Sequence, residues 1–190
     1  MADGSGSARE RLLEAAAREF YARGIVATGI DTITAAAGVA KQSLYNNFAS
    51  KGELVLAYVR ARDQEWFELY RGRAVEASGP RERVLAVFDA YVDHAEAAYE
   101  HRFRGCGLLN AAAELEADDP ARTAVREHKE QVERLLREHL AELTDPERAA
   151  AIAEHLCFLL EGATARAGLE GVPARLLRAR GIAAGLLDAL

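Results

Sequence analysis

Proline is excluded from helix interiors because it lacks the N–H and its ring strikes the carbonyl one turn back, yet it suits the first helical position. All four prolines of this 190-residue sequence stand at such positions: Pro80 after Gly79, Pro120 after Asp119, Pro146 after Asp145, and Pro173. Each opens a long stretch with helical apolar spacing. Further starts are marked by "SARE" (Ser7, Glu10), "TGID" (Thr28, Asp31) and "SKGE" (Ser50, Glu53), which have the form of capping boxes. No segment shows period-2 alternation, and Leu, Ala, Glu and Arg dominate. The pattern predicts an all-α fold of about nine helices, over roughly 8–23, 30–36, 41–47, 51–76, 80–100, 105–116, 120–142, 146–168 and 173–189.

With 50% hydrophobic and 28% charged residues the chain can build a real core, which excludes whole-chain disorder. "MADGSGSARER" has no apolar h-region, so a signal peptide is not expected, and residues 1–7 read as a disordered leader. No apolar run is long enough to span a bilayer. Cys106 and Cys157 form neither a CxxC pair nor a disulfide framework. A cytoplasmic protein without a membrane partner is the expectation.

The net charge of −6 at first argues against a nucleic-acid partner. It is unevenly spread, however. Residues 1–55 carry six basic and six acidic side chains, so the whole excess of negative charge lies beyond them. A neutral N-terminal part permits DNA binding without requiring it.

The first helix places Leu12, Leu13, Ala16, Ala17 and Phe20 on one stripe and ends at Gly24. The second offers Ile30, Ile33, Ala36 and Ala37; Gly38 then turns the chain into a short third helix. Helix, glycine-containing turn, helix is the form of a helix-turn-helix, although a plain helical hairpin has it too. The third helix separates the two. At about 100° per residue, Leu44 and Phe48 share one side while Gln42, Ser43 and Asn46 point away. Amides pair bidentately with adenine in the major groove, and hydroxyls serve several base edges. Lys41, Tyr45 and Lys51 stand as phosphate contacts. The hydroxyl of Thr28 is expected to cap the second helix, whose first N–H groups would receive a further phosphate.

These residues resemble the TetR family of transcriptional regulators. The resemblance covers roughly residues 8 to 55 and rests on Phe20, Gly24, Thr28, Ile33, Ala37-Gly38-Val39, Leu44-Tyr45, Phe48 and Lys51 with Leu54. Ala40 stands where relatives often carry a capping serine, and Asn46 where many carry histidine. The resemblance implies a homodimer that binds double-stranded, palindromic operator DNA, usually as a repressor, and releases it when a small-molecule effector occupies the C-terminal domain. The expected division is a DNA-binding domain over residues 1–50 and an effector-binding and dimerisation domain over residues 51–190.

Residues 56–190 hold no motif of comparable specificity. Ile152, Ala153, Leu156, Leu159, Leu160 and Ala163, then Leu176, Leu177, Ile182, Leu186 and Leu187, give the last two helices apolar faces suited to a dimer interface or an internal core. An effector pocket is expected to draw its wall from Trp66, Phe88, Tyr91 and Phe103. Asn110, Glu114, His128 and His155 lie at helical spacing among apolar residues and would orient the ligand. Core packing and satisfied polar pairs are the alternative for each of them.

Two rival functions fit less well. Metal sensing would draw on His94, His128, His155, Asn110, Glu114 and the cysteines, but no HxxxH or CxxC spacing supports it. An all-α enzyme lacks a phosphate loop, GxSxG or HExxH. No metal, cofactor or catalytic residue is expected.

Overall fold

A computed structural model describes residues 6–97 and 103–190. The first five positions of the expected leader, and the last positions of the helix expected over 80–100, lie outside the described residues. Within them the chain forms nine helices and no strand: α1 (Ala8–Arg23), α2 (Ile30–Ala37), α3 (Lys41–Asn47), α4 (Lys51–Val75), α5 (Pro80–Glu96), α6 (Gly107–Ala113), α7 (Pro120–Leu140), α8 (Pro146–Glu170) and α9 (Ala174–Leu187).

The local signals act largely as their chemistry requires. Ser7 Oγ accepts from the Glu10 N–H and the Glu10 carboxylate accepts from the Ser7 N–H, a complete capping box. Ser50 Oγ accepts from the Glu53 N–H, while Glu53 reaches back one residue further, to the Ala49 N–H. Pro80, Pro120 and Pro146 open their helices, and the Asp145 carboxylate caps α8 through the Arg148 N–H.

Three expectations are corrected. Thr28 does not cap α2: the N-cap is Gly29, with extended backbone and no side-chain cap. The Thr28 hydroxyl instead donates to the Gly24 carbonyl at 2.7 Å. Pro173 is the N-cap of α9, so that helix begins one residue later. α6 is shorter than its spacing predicts and starts after Gly105, whose φ of +85° no right-handed helix contains.

The described chain divides into two compact units, Met1–Arg62 with Gly107–Val125, and Asp63–Cys106 with Arg126–Leu190. In the first, α1 packs on α2 and α3. Its core holds Leu12, Phe20, Ile33, Leu44, Phe48, Leu54 and Tyr58, with Phe20 edge-on to Tyr58. In the second, α9 packs between α8 and α5. Phe88, Leu136, Leu140, Leu156, Leu160 and Leu176 are buried there, and Arg180 on α9 forks onto Asp89 of α5 at 2.5 and 3.1 Å.

Candidate functional site

The turn between α2 and α3 depends on Gly38, whose left-handed φ of +63° costs a residue without Cβ little. The N–H groups of Gly38 and Val39 then satisfy the Ala35 and Thr34 carbonyls and stop α2. α3 follows with two anchors, Leu44 and Phe48, both wholly buried against the helices before it. Helix propensity cannot hold seven residues alone, so the position of α3 is set by that packing.

The outward face carries the predicted chemistry. Lys41, Gln42, Tyr45 and Asn46 are exposed and Ser43 is half-buried. Gln42 Nε2 donates to Asn46 Oδ1 at 3.1 Å, so the two amides one turn apart are already linked. Lys41 Nζ lies 2.9 Å from Asp31 on α2, and that bond raises the lysine pKa above its ordinary value. Both groups are largely solvated, so the pair holds loosely and a phosphate can compete for the ammonium. Asp31 as the internal partner of Lys41 escaped the sequence reading. So did Arg9, whose guanidinium lies 4.9 Å from the centre of the Phe48 ring. Lys51 is turned inward, donating to the Ile25 carbonyl at 2.6 Å. Thr28 is fully buried and its hydroxyl is already committed, so it cannot meet a phosphate.

In the second unit the structure brings together part of the expected effector set. Trp66, Phe88, Tyr91 and Phe103 are all buried in one apolar core. The Trp66 ring centre is 5.2 Å from that of Tyr91 and 5.4 Å from His128. His128 is buried, and Nδ1 lies 2.8 Å from Asp63 Oδ1. Burial holds its pKa below the ordinary value against the pull of Asp63, so the ring is neutral at pH 7. Because a carboxylate accepts, Nδ1 carries the proton and Nε2 is left as an acceptor. Lys129 Nζ stands 3.3 Å from both the Tyr91 hydroxyl and Glu161, and burial pushes the Tyr91 phenol up to about 12. A small cavity of about 130 Å³ opens beside them, lined in part by Tyr91, Lys129, Val132 and Leu160.

Three expected effector residues do not join this cluster. Asn110 and Glu114 are exposed and belong to the first unit, where Glu114 Oε2 accepts from the Val26 N–H at 2.7 Å. His155 is exposed, since α8 buries Ala149, Ala153, Leu156 and Leu160 and directs position 155 to the other side. The same outer side leaves Phe158 70% exposed, and α9 leaves Ile182 54% exposed. Between the two helices runs an open groove of about 510 Å³ lined by residues that include Leu159, Gly162, Ala163 and Arg166. Among the described residues no group of three or more His, Cys, Asp or Glu is placed to hold a metal ion. No described helix is long and apolar enough to cross a membrane.

A short helix with a buried back and an amide-rich front, seated on two preceding helices ahead of a separate helical unit, defines a helix-turn-helix DNA-binding regulator. Residues 12–58 match the family described as bacterial regulatory proteins of the TetR family, and residues 80–183 match the tetracyclin repressor-like C-terminal domain. The chain therefore belongs to the TetR family of transcriptional regulators, whose members bind operator DNA and act as dimers. It is 34% identical to SCO4454, a TetR-family regulator from Streptomyces coelicolor, with a TM-score of 0.86 over 96% of this chain and 95% of that one. It is 32% identical to the transcriptional repressor KstR2 of Mycobacterium tuberculosis over 66% of this chain and 60% of that protein. With the transcriptional activator FasR of Mycolicibacterium smegmatis it shares 36% over 53% of this chain and 44% of that protein. The chain thus spans less than two thirds of the length of these two curated relatives.

Proposed function

We propose that this regulator is a homodimeric, cytoplasmic repressor that binds a palindromic operator through α3 and leaves it when a small organic molecule enters the C-terminal part. In this reading residues 1–50 read DNA and residues 51–190 bind effector and partner. The observation that carries it is the geometry of α3: Leu44 and Phe48 are spent entirely on anchoring, while the linked amides of Gln42 and Asn46 face outward. Gln42, Asn46 and Ser43 read base edges, and Lys41 and Tyr45 hold phosphates; Lys51, expected as a third phosphate contact, is spent on the Ile25 carbonyl instead. Trp66, Phe88, Tyr91, Phe103 and His128 form the effector wall. That reading is supported by a neutral histidine and an indole Nε1 without a hydrogen-bond partner, both buried among rings.

Repression follows the similarity to KstR2, whereas FasR is described as an activator. The dimer forms through the outer faces of α8 and α9, where Phe158 and Ile182 leave apolar surface in water. The experiment is a gel shift on the DNA flanking the protein's own coding region, with and without chelator, coupled to a reporter under that promoter. A retarded band that chelator leaves unchanged, with reporter output rising when the protein is deleted, is the expected result. Output that falls on deletion would make it an activator, and a chelator-sensitive band would make it metal-responsive.

A further inference from the structure

Lys51 and Glu114 take hold of the same peptide group. The Ile25 carbonyl accepts from Lys51 Nζ at 2.6 Å, and the Val26 N–H, on the other side of that same planar unit, donates to Glu114 Oε2 at 2.7 Å. A trans peptide points its C=O and N–H in opposite directions, so the first residue of α4 and the residue that follows α6 pull on it from opposite sides. A cation on the carbonyl and an anion on the amide also polarise the group in the same sense, and each bond strengthens the other.

The surroundings show that the turn is built around this grip. Glu114 occupies the space beside Gly24: a Cβ there would come within 2.5 Å of Glu114 Oε1, at a residue whose φ is already +89°. Thr28, buried in the same turn, returns its hydroxyl to the Gly24 carbonyl. α6 itself is seated tightly: a Cβ on Gly107 would press on the Tyr58 hydroxyl at 3.0 Å and the Tyr21 ring at 3.3 Å. The segment from Gly24 to Thr28 sets the direction in which α2 leaves α1. Since α3 is anchored to both, it sets where the reading face stands.

We propose that Glu114 is a positioning residue for DNA binding: with Lys51 it clamps the Ile25–Val26 peptide and so fixes the α1–α2 turn that aims α3. The proposal deepens the reading of α3 as the DNA reader and makes α6 a direct determinant of operator affinity. It also accounts for the inward turn of Lys51.

The sign of the effect separates this from plain electrostatics. Glu114 is an anion in the DNA-binding unit, so by charge alone its removal raises affinity for every DNA. The clamp requires the opposite on specific DNA. Glu114→Ala should weaken binding to the selected operator about tenfold, while Glu114→Gln, whose amide oxygen still accepts, should lose about threefold or less. Binding to calf-thymus DNA should not weaken in either variant. Independently of DNA, the Val26 amide should exchange with solvent faster in Glu114→Ala than in wild type, with the thermal midpoint nearly unchanged. Adding Lys51→Met to Glu114→Ala should give a combined loss in Val26 protection different from the sum of the two single losses. Unchanged Val26 exchange, strictly additive losses, or operator affinity equal to or above wild type in Glu114→Ala would each overturn the clamp. If the wild-type protein bound no DNA specifically, the exchange and additivity measurements would still decide the clamp, and the reading of α3 alone would fall.

Discussion

α3 and the ring cluster of the second unit make opposite use of the same material. At α3 the two apolar anchors, Leu44 in the helix and Phe48 at its C-cap, are buried, while Lys41, Gln42, Tyr45 and Asn46 are displayed. Around Trp66 the polar groups of His128, Lys129 and Tyr91 are drawn in among the rings. A DNA groove is a fixed partner, with base edges at set heights and phosphates at set spacings, so its reader must carry amides, hydroxyls and cations at set positions. A small-molecule site need only enclose a shape and place a few donors and acceptors, which many sequences can do. The difference teaches why one region announces its role and the other does not.

The comparison breaks most visibly if the two copies fail to meet. Phe158→Arg or Ile182→Arg should yield monomers by light scattering, with operator binding down on the order of a hundredfold or more as the two half-site contacts separate. Two variants that both stay dimeric would place the interface elsewhere. Next in size, Leu44→Ala should cost about 2–5 kcal/mol of stability in chemical denaturation, because the cavity opens under a helix too short to hold itself. A loss below about 1 kcal/mol would mean that α3 is not seated by this residue.

Smaller again is the pH response of the second region. Burial lowers the pKa of His128, and burial with the Arg83 charge lowers that of His139. Each ring thus binds fewer protons folded than unfolded. Their contribution is complete above the unfolded value of about 6.5 and is lost as pH falls through that value towards the folded one. Thermal midpoints should therefore fall between pH 7 and 5, and His128→Gln should flatten the slope; an unchanged slope would show that His128 does not titrate with folding. Smallest is Lys41→Ala, which should weaken binding to all DNA alike and reduce the salt slope by about one per subunit. A sequence-dependent loss would turn Lys41 from a phosphate contact into a base reader.

Helix order was legible because its signals are local: Ser7 with Glu10, Asp145 before Pro146, and Gly38 each act within four residues of themselves. Thr28 misled for the same reason. "TGID" has the spacing of a capping box, but Gly29 supplies the extended cap and the threonine hydroxyl finds a nearer acceptor in the carbonyl of Gly24. The outward set of α3 was legible because Leu44 and Phe48 leave the helix only one way to sit. Asn110 and Glu114 show the limit. Spacing placed them on one side of α6 but held no information on what that side meets, and the partner of Glu114 lies 88 residues earlier, at Val26. His128 was legible as a residue on the apolar stripe of α7, whereas its partner Asp63, 65 residues away, was not.

The claim that α3 reads DNA with its displayed amides is tested most directly by selecting bound sequences from a random duplex library with the wild-type protein and with Gln42→Ala. The wild type should enrich a palindrome of two half-sites. The variant should enrich the same palindrome with preference lost at one base pair in each half, a discrimination of about 1–3 kcal/mol. Identical motifs from both proteins, or no motif from the wild type, would contradict it.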